Sequence, residues 1–279
     1  MLNSRIKLIA VDLDYTLLSS GFEVSKRNKE AIARALDRGV AVTLSTGRMF
    51  SSALPFAETL ELSCPLITYN GAYIRAPGSD RPLSHVPVEK EHALETVRFA
   101  AEWDLHCNVY INDRLYMSKA GWEAQMYMDN CKVEGIYEPD LEPLILSSGE
   151  QPTKILLIGE SGRMGEVKAR LVELMAGKAY VTTSVPEYVE IMNKNVSKGR
   201  ALAAVASFLC VKADEVMAIG DGYNDIDMFR YAGVSVAMGN ARDEVKSLAT
   251  FVAPSNDEDG VAVAIERYVL GSSEQASKG

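Results

Sequence analysis

Apolar residues in this chain fall into short solid runs separated by longer stretches with helical spacing. Ile6-Lys-Leu-Ile-Ala-Val11 is a compact β-branched run and predicts a buried strand. Beyond it, Ser25 stands where a helix cap belongs. Ala31, Ile32, Ala35 and Leu36 make one apolar stripe that closes at Gly39. Val40–Leu44 predicts a second buried strand, Ser45-Thr-Gly-Arg48 the opening of another helix, and Leu66–Tyr69 a third strand. Strands alternating with helices predict a parallel sheet, because parallel neighbours need a crossover.

The far end of the chain repeats the theme. A helix begins near Ser197, and the strand Val216–Ile219 runs into Gly220-Asp-Gly222. A helix over Asp225–Tyr231, a strand over Val234–Ala237 and helices over Ala241–Leu248 and Gly260–Leu270 follow. Residues 272–279 are small and polar and are expected to fray.

The middle reads differently. A helix over Glu89–Trp103 leads into a hairpin, Cys107–Ile111 and Arg114–Ser118, turning at Asn112-Asp113. A helical stretch at Trp122–Asp129, a strand at Lys154–Ile158, a helix at Met164–Met175 and short strands at Tyr180–Thr183 and Tyr188–Met192 complete it. This predicts a separate α+β module over 88–187, inserted into an α/β core made of 1–87 and 188–279. Pro77, Pro82, Pro87 and Pro186 mark its hinges.

Composition narrows what such a fold does. The 279 residues carry a formal net charge of -9, which argues against nucleic acid as a partner, since a polyanion needs a basic stripe. A small anionic substrate stays open, because local cations override the overall field. Cys64, Cys107, Cys131 and Cys210 are scattered, with no C-x-x-C pair, and read as core thiols in a reducing cytoplasm. His85, His92 and His106 form no metal-binding spacing and read as surface or structural. No apolar run approaches the ~18–20 residues of a membrane span, and no signal-peptide pattern stands at the start, so a cytoplasmic location is expected.

Candidate chemistry gathers where the predicted strands end, the edge at which open parallel sheets bind ligands. Asp12 and Asp14 follow the first strand, two residues apart, and in an extended chain they share a side. Carboxylates there are costly unless a cation pairs with them, which leaves a metal, a nucleophile, both, or a plain loop start. Thr46 and Gly47 offer a hydroxyl and a close backbone approach, and the helix that follows points its amides at an anion. Lys198 stands at a helix start, where the dipole disfavours a cation unless it reaches an anion. Gly220-Asp-Gly-Tyr-Asn-Asp225 places Asp221, Asn224 and Asp225 between a strand and a helix. It is not an EF-hand loop, because the twelfth position from Asp221 is Ala232 instead of Glu.

Together these motifs resemble the haloacid-dehalogenase (HAD) superfamily of phosphohydrolases. Asp12-Leu-Asp14-Tyr-Thr16 matches its D-x-D-x-T motif, Thr46 its Ser/Thr motif, Lys198 its lysine motif and Gly220–Asp225 its acidic motif. Thr46-Gly-Arg48, Tyr69-Asn-Gly-Ala72 and Ser255-Asn-Asp-Glu-Asp-Gly-Val261 are similar to the Cof-type branch, whose type IIB cap lies between the second and third motifs. One departure is Tyr15, where this branch usually has Gly, and it bears on substrate access.

The resemblance implies a Mg²⁺-dependent phosphatase of small phosphorylated metabolites, such as a sugar phosphate, working through an aspartyl-phosphate. Asp12 is the implied nucleophile and Asp14 the general acid and base. Asp12, the Asp14 backbone carbonyl and Asp221 are the implied metal ligands. Thr46, the Gly47 amide, Lys198 and Asn224 are the implied phosphate contacts, with Asp225 steadying Lys198 or the metal shell from behind. A phosphomutase or phosphotransferase using the same intermediate is the alternative, and a non-enzymatic phosphometabolite-binding protein a second one. No membrane partner is expected, and the oligomeric expectation is a monomer or weak homo-oligomer.

Overall fold

The computed structural model describes residues 6–271, so the expected fraying of 272–279 lies outside the described residues. The chain separates into two units. One takes the described parts of 1–47 and 197–279 together with Ala53–Leu83, and the other takes Arg48–Ser52 and Ser84–Val196.

Five parallel strands form the first unit's sheet, in the order Phe251–Val252, Val234–Ala237, Val216–Gly220, Leu8–Val11, Ala41–Leu44. Leu8–Val11 is flanked on both edges, Leu8 lying opposite Val216 and Ala41. All four of its residues are buried, which is why the run shows no polar alternation. Leu66–Thr68 joins the edge through a single parallel bridge between Ser45 and Ile67, then folds back on Tyr73–Arg75 as a hairpin.

The helices follow from local chemistry. Lys26–Asp37 starts at Ser25, whose Oγ accepts the Asn28 N–H at 3.1 Å, and stops at Gly39, which sits at φ 76° and donates to the Leu36 carbonyl. Ala31, Ile32 and Ala35 are buried as its stripe predicts, with Leu36 half-buried. Lys198–Phe208 and Ile226–Tyr231 pack Ala201, Leu202, Val205, Met228 and Phe229 against Leu8, Ala10, Val216 and Ala218. That packing brings the starts of two helices to the sheet edge where the first strand ends.

Some elements differ from the sequence expectation. The helix expected over Ala241–Leu248 contracts to Asp243–Lys246, because Asn240 and its neighbours form a turn tied to other loops. The helix expected over Gly260–Leu270 is α-helical over Gly260–Ile265 and widens to π-type turns over Glu266–Leu270. The helix expected to open at Ser45–Arg48 begins at Phe50.

The second unit is a six-stranded sheet ordered Ala179–Thr182, Tyr188–Asn193, Lys154–Ile158, His106–Ile111, Arg114–Met117, Gly135–Tyr137, antiparallel except for its last pair. Tyr188–Asn193 is paired on both sides here, so this unit runs to Val196 and not to 187. Cys107, Val109 and Ile111 share one sheet face with Ile155, Leu157, Val189 and Ile191. Residues of the Lys90–Glu102, Leu141–Ser147 and Ser161–Leu174 helices cover that face. The alternate positions carry buried polar groups, among them Lys154 and Glu190, paired at 3.5 Å. The hairpin turn at Asn112-Asp113 has both residues at positive φ, 53° and 55°, which makes it a type I′ turn.

Cys64 and Cys107 are buried thiols, whereas Cys131 is half-buried and Cys210 exposed, so only two of the four belong to a core. No helix among the described residues is long and apolar enough to cross a membrane.

Candidate active site

The first strand stops at Val11, one residue before its carboxylates. Asp12 continues extended, donating its N–H to the Ile219 carbonyl, and a wide turn then takes over. Leu17 and Leu18 donate back to the Asp12 and Leu13 carbonyls, five residues earlier in each case. Asp14 is extended within this turn and Tyr15 left-handed, at φ 58° and ψ 9°. The turn therefore sets how the two carboxylates are presented, and the simple alternation of a strand does not. Asp12 is 6% exposed and Asp14 half-buried.

Two other segments hold that turn and the residues just after it. Asn240 Nδ2 donates to the Tyr15 carbonyl at 2.8 Å, and Asn240 Oδ1 accepts the Asn256 N–H. Asn256 Nδ2 donates to the Leu18 carbonyl, and Asp257 accepts from both the N–H and the Oγ of Ser20. A left-handed non-glycine costs about 1–2 kcal/mol, and these contacts offset it while the Tyr15 ring stays 54% exposed.

Lys198 is the centre of the charge arrangement. Its Nζ donates to Asp12 Oδ1 and to Asp225 Oδ1, each at 2.6 Å, and the residue is 1% exposed. The cation disfavoured by its own helix start is thus explained by the carboxylates it reaches. Burial works against the ammonium form, but Asp12 and Asp225 outweigh it and the Lys198 pKa is raised. Asp225, fully buried, accepts the Asp221 and Gly222 N–H groups on its other oxygen. A Cβ on Gly220 would stand 2.5 Å from the Asp225 carboxyl, so glycine is what admits Asp225 behind the strand end.

Asp221 accepts the Thr16 hydroxyl at 2.8 Å. Burial and then the Asp225 charge push its carboxyl up to about 6, opposed by Thr16 and Lys198. Burial likewise raises Asp12, with Lys198 opposing and Asp225 and Asp221 adding to the rise. Carboxylates strained in this way accept a counter-charge readily. Asp12, Asp221 and Asp225 bring carboxylate oxygens within 4.8 Å of one another, a hard-oxygen set suited to a divalent cation. Both Asp225 oxygens already accept protein donors, whereas Asp12 and Asp221 each keep one oxygen without a donor among the described residues. The donor set therefore fits a cation held by Asp12 and Asp221, with Asp225 behind them.

Thr46 is buried, its N–H on the Ile67 carbonyl and its own carbonyl accepting the Asn70 N–H. Asn224 Nδ2 donates to Asn70 Oδ1 at 3.0 Å. The expectation that the next helix turns its first amides toward an anion is corrected. The Phe50 and Ser51 N–H groups donate to the Asp113 carboxylate, at 2.9 and 2.8 Å, which leaves the Gly47 amide as the backbone candidate.

The structure thus brings Asp12, Lys198, Asp221 and Asp225 into direct contact or near it, and links Thr46 to Asn224 through Asn70. Asn70, Asn240 and Asn256 are participants that the reading of side-chain chemistry passed over. Asn70 and Asn256 lie in motifs already noted, whereas nothing in the sequence pattern marks Asn240.

Known proteins are similar to this chain over nearly its whole length. A 5-amino-6-(5-phospho-D-ribitylamino)uracil phosphatase of Bacillus subtilis, YcsE, is 35% identical, covering 95% of this chain and 96% of the relative. A second B. subtilis protein of the same name, YwtE, is 32% identical over 95% of this chain and 99% of its own length. The crystal structure of a haloacid dehalogenase-like hydrolase from Bacteroides thetaiotaomicron superposes with a TM-score of 0.87 at 31% identity, covering 94% of this chain and 99% of that one. The sequence pattern of one hydrolase family spans residues 9–265, from inside the first strand to the last α-helix. By that span and that likeness, the chain belongs to the haloacid dehalogenase-like hydrolases.

Proposed function

We propose that this hydrolase releases phosphate from small phosphorylated metabolites, with magnesium, through an aspartyl-phosphate on Asp12. The observation that carries the reading is the buried Lys198 bridging Asp12 and Asp225 beside Asp221, at the carboxyl ends of parallel strands. Two similar proteins are named as phosphatases of a phosphorylated ribityl compound, which supports a phosphorylated sugar or polyol as the substrate class.

Asp12 is the better nucleophile of the pair. It is buried and held in a fixed position by Lys198, so attack on phosphorus starts from an oriented oxygen. Half-buried Asp14 gives its proton to the leaving alcohol as the P–O bond breaks. It then takes a proton from water, whose oxygen attacks phosphorus and frees Asp12 and inorganic phosphate. Lys198 has three donors and uses two on carboxylates, leaving one for a phosphoryl oxygen. The Thr46 hydroxyl, the Gly47 amide and Asn224 supply the remaining donors that stabilise the transferred group. Asp12, Asp221 and the Asp14 carbonyl would hold the magnesium ion, which when bound would supply positive charge to the site.

The decisive measurement is phosphate release from a panel of sugar and polyol monoesters, with magnesium or with chelator. Release is expected only with the metal, and Asp12→Asn is expected to abolish it while keeping the circular dichroism spectrum and melting temperature. Full activity in that variant would remove Asp12 as nucleophile.

A further inference from the structure

Three consecutive residues between the Leu66–Thr68 and Tyr73–Arg75 strands have positive φ: Tyr69 at 51°, Asn70 at 55° and Gly71 at 100°. A hairpin connection has easier routes, so a turn that holds two left-handed non-glycines in succession is over-determined by its surroundings. Those surroundings are three segments of the candidate site. The Asn70 N–H donates to the Thr46 carbonyl at 2.9 Å. A Cβ on Gly47 would stand 3.2 Å from Asn70 Oδ1, so the Asn70 amide lies flat against the Gly47 backbone. Asn70 Oδ1 accepts from Asn224 Nδ2 at 3.0 Å. One residue on, a Cβ at Gly71 would meet the Ser197 carbonyl at 2.5 Å and the Ala201 Cβ at 2.9 Å, which presses the turn onto the helix start that carries Lys198.

We propose that Asn70 is a positioning residue for phosphoryl transfer: it sets Asn224 and the Gly47 backbone in register as one phosphate cradle. The inference rests on the phosphatase reading above. Asparagine suits the position on two counts. It tolerates the left-handed backbone better than other non-glycine residues. Its side-chain oxygen accepts from Asn224 and so fixes which way the Asn224 amide faces, with that residue's oxygen turned away from Asn70. Asn70 is 8% exposed, which keeps water from substituting for it. Cleavage itself needs no proton from Asn70. Its effect passes through Asn224 and Gly47.

The test is a double-mutant cycle on the full chain with Asn70→Gly, Asn224→Ala and both together. The readouts are kcat and KM for p-nitrophenyl phosphate with magnesium, the affinity for inorganic phosphate, and the melting temperature. Asn70→Gly keeps the turn geometry, since glycine accepts φ 55° freely. It is expected to hold its melting temperature and to lose about 10- to 100-fold in kcat/KM. The double variant is expected to match Asn224→Ala within about threefold, because the two residues act as one unit. If the two losses multiply, Asn70 does not act through Asn224 and the inference fails. It fails equally if Asn70→Gly keeps the parent's kcat/KM and phosphate affinity. A lowered melting temperature leaves the cycle decisive, since coupling is read from the ratio of effects. If the parent protein releases no phosphate from any ester, the phosphatase reading falls, and the cycle in inorganic phosphate affinity still decides whether Asn70 and Asn224 form one anion cradle.

Discussion

Burying Lys198 between two carboxylates makes one side chain answer for both stability and chemistry. Removing the cation leaves both carboxylates uncompensated, typically at a cost of about 3–5 kcal/mol, whereas neutralising Asp12 leaves Lys198 paired with Asp225. Lys198→Met is therefore expected to lose phosphate release and also to unfold about 3 kcal/mol more easily in denaturant titration, unlike Asp12→Asn. Asp221 behaves in the opposite way. Its folded pKa of about 6 lies above the ordinary carboxylate value, so the folded protein holds this proton more tightly than the unfolded chain. Its ionisation weakens the metal-free fold as pH rises toward and through 6, and a bound cation reverses that. The magnesium-induced rise in melting temperature is expected to be full at pH 7.5 and to shrink below about 6, where the proton competes with the metal. Asp221→Asn is expected to raise the melting temperature without metal and to abolish the magnesium response, as differential scanning fluorimetry would report.

Some elements begin where a distant side chain caps them, and others where a local one does. The Phe50–Thr59 helix has no cap of its own in sequence, and the carboxylate of Asp113 at the tip of a hairpin serves it. Asp113→Ala is expected to cost about 1 kcal/mol by equilibrium unfolding, the usual cost of a lost N-cap. Sequence pattern located this helix too early because its cap is long-range, whereas Lys26–Asp37 was legible because Ser25 and Gly39 are local. Short strands such as Gly135–Tyr137 escaped the pattern for a related reason: three residues carry no period, and only pairing to Arg114–Met117 defines them.

At the scale of the molecule, the alternation of apolar runs was enough to reveal a parallel core interrupted by an insertion. The charged motif residues were legible because carboxylates and a lysine at strand ends and helix starts have few structural reasons to be there. What stayed hidden was what the asparagines do, since Asn70 and Asn256 stand in noted motifs without visible partners and Asn240 in none, until the segments they join are seen together. The first strand has a consequence for how the chain is made. Leu8–Val11 is sandwiched between Ala41–Leu44, made soon after it, and Val216–Gly220, made after the whole inserted unit. At ribosomal speeds of ~5–20 residues per second, one edge of that wholly apolar strand waits roughly 10–40 seconds for its partner. Asp12 meanwhile waits for the lysine that balances it. Throughout that interval the nascent chain presents an open, sticky strand edge, and it is during translation that this fold has most need of a chaperone.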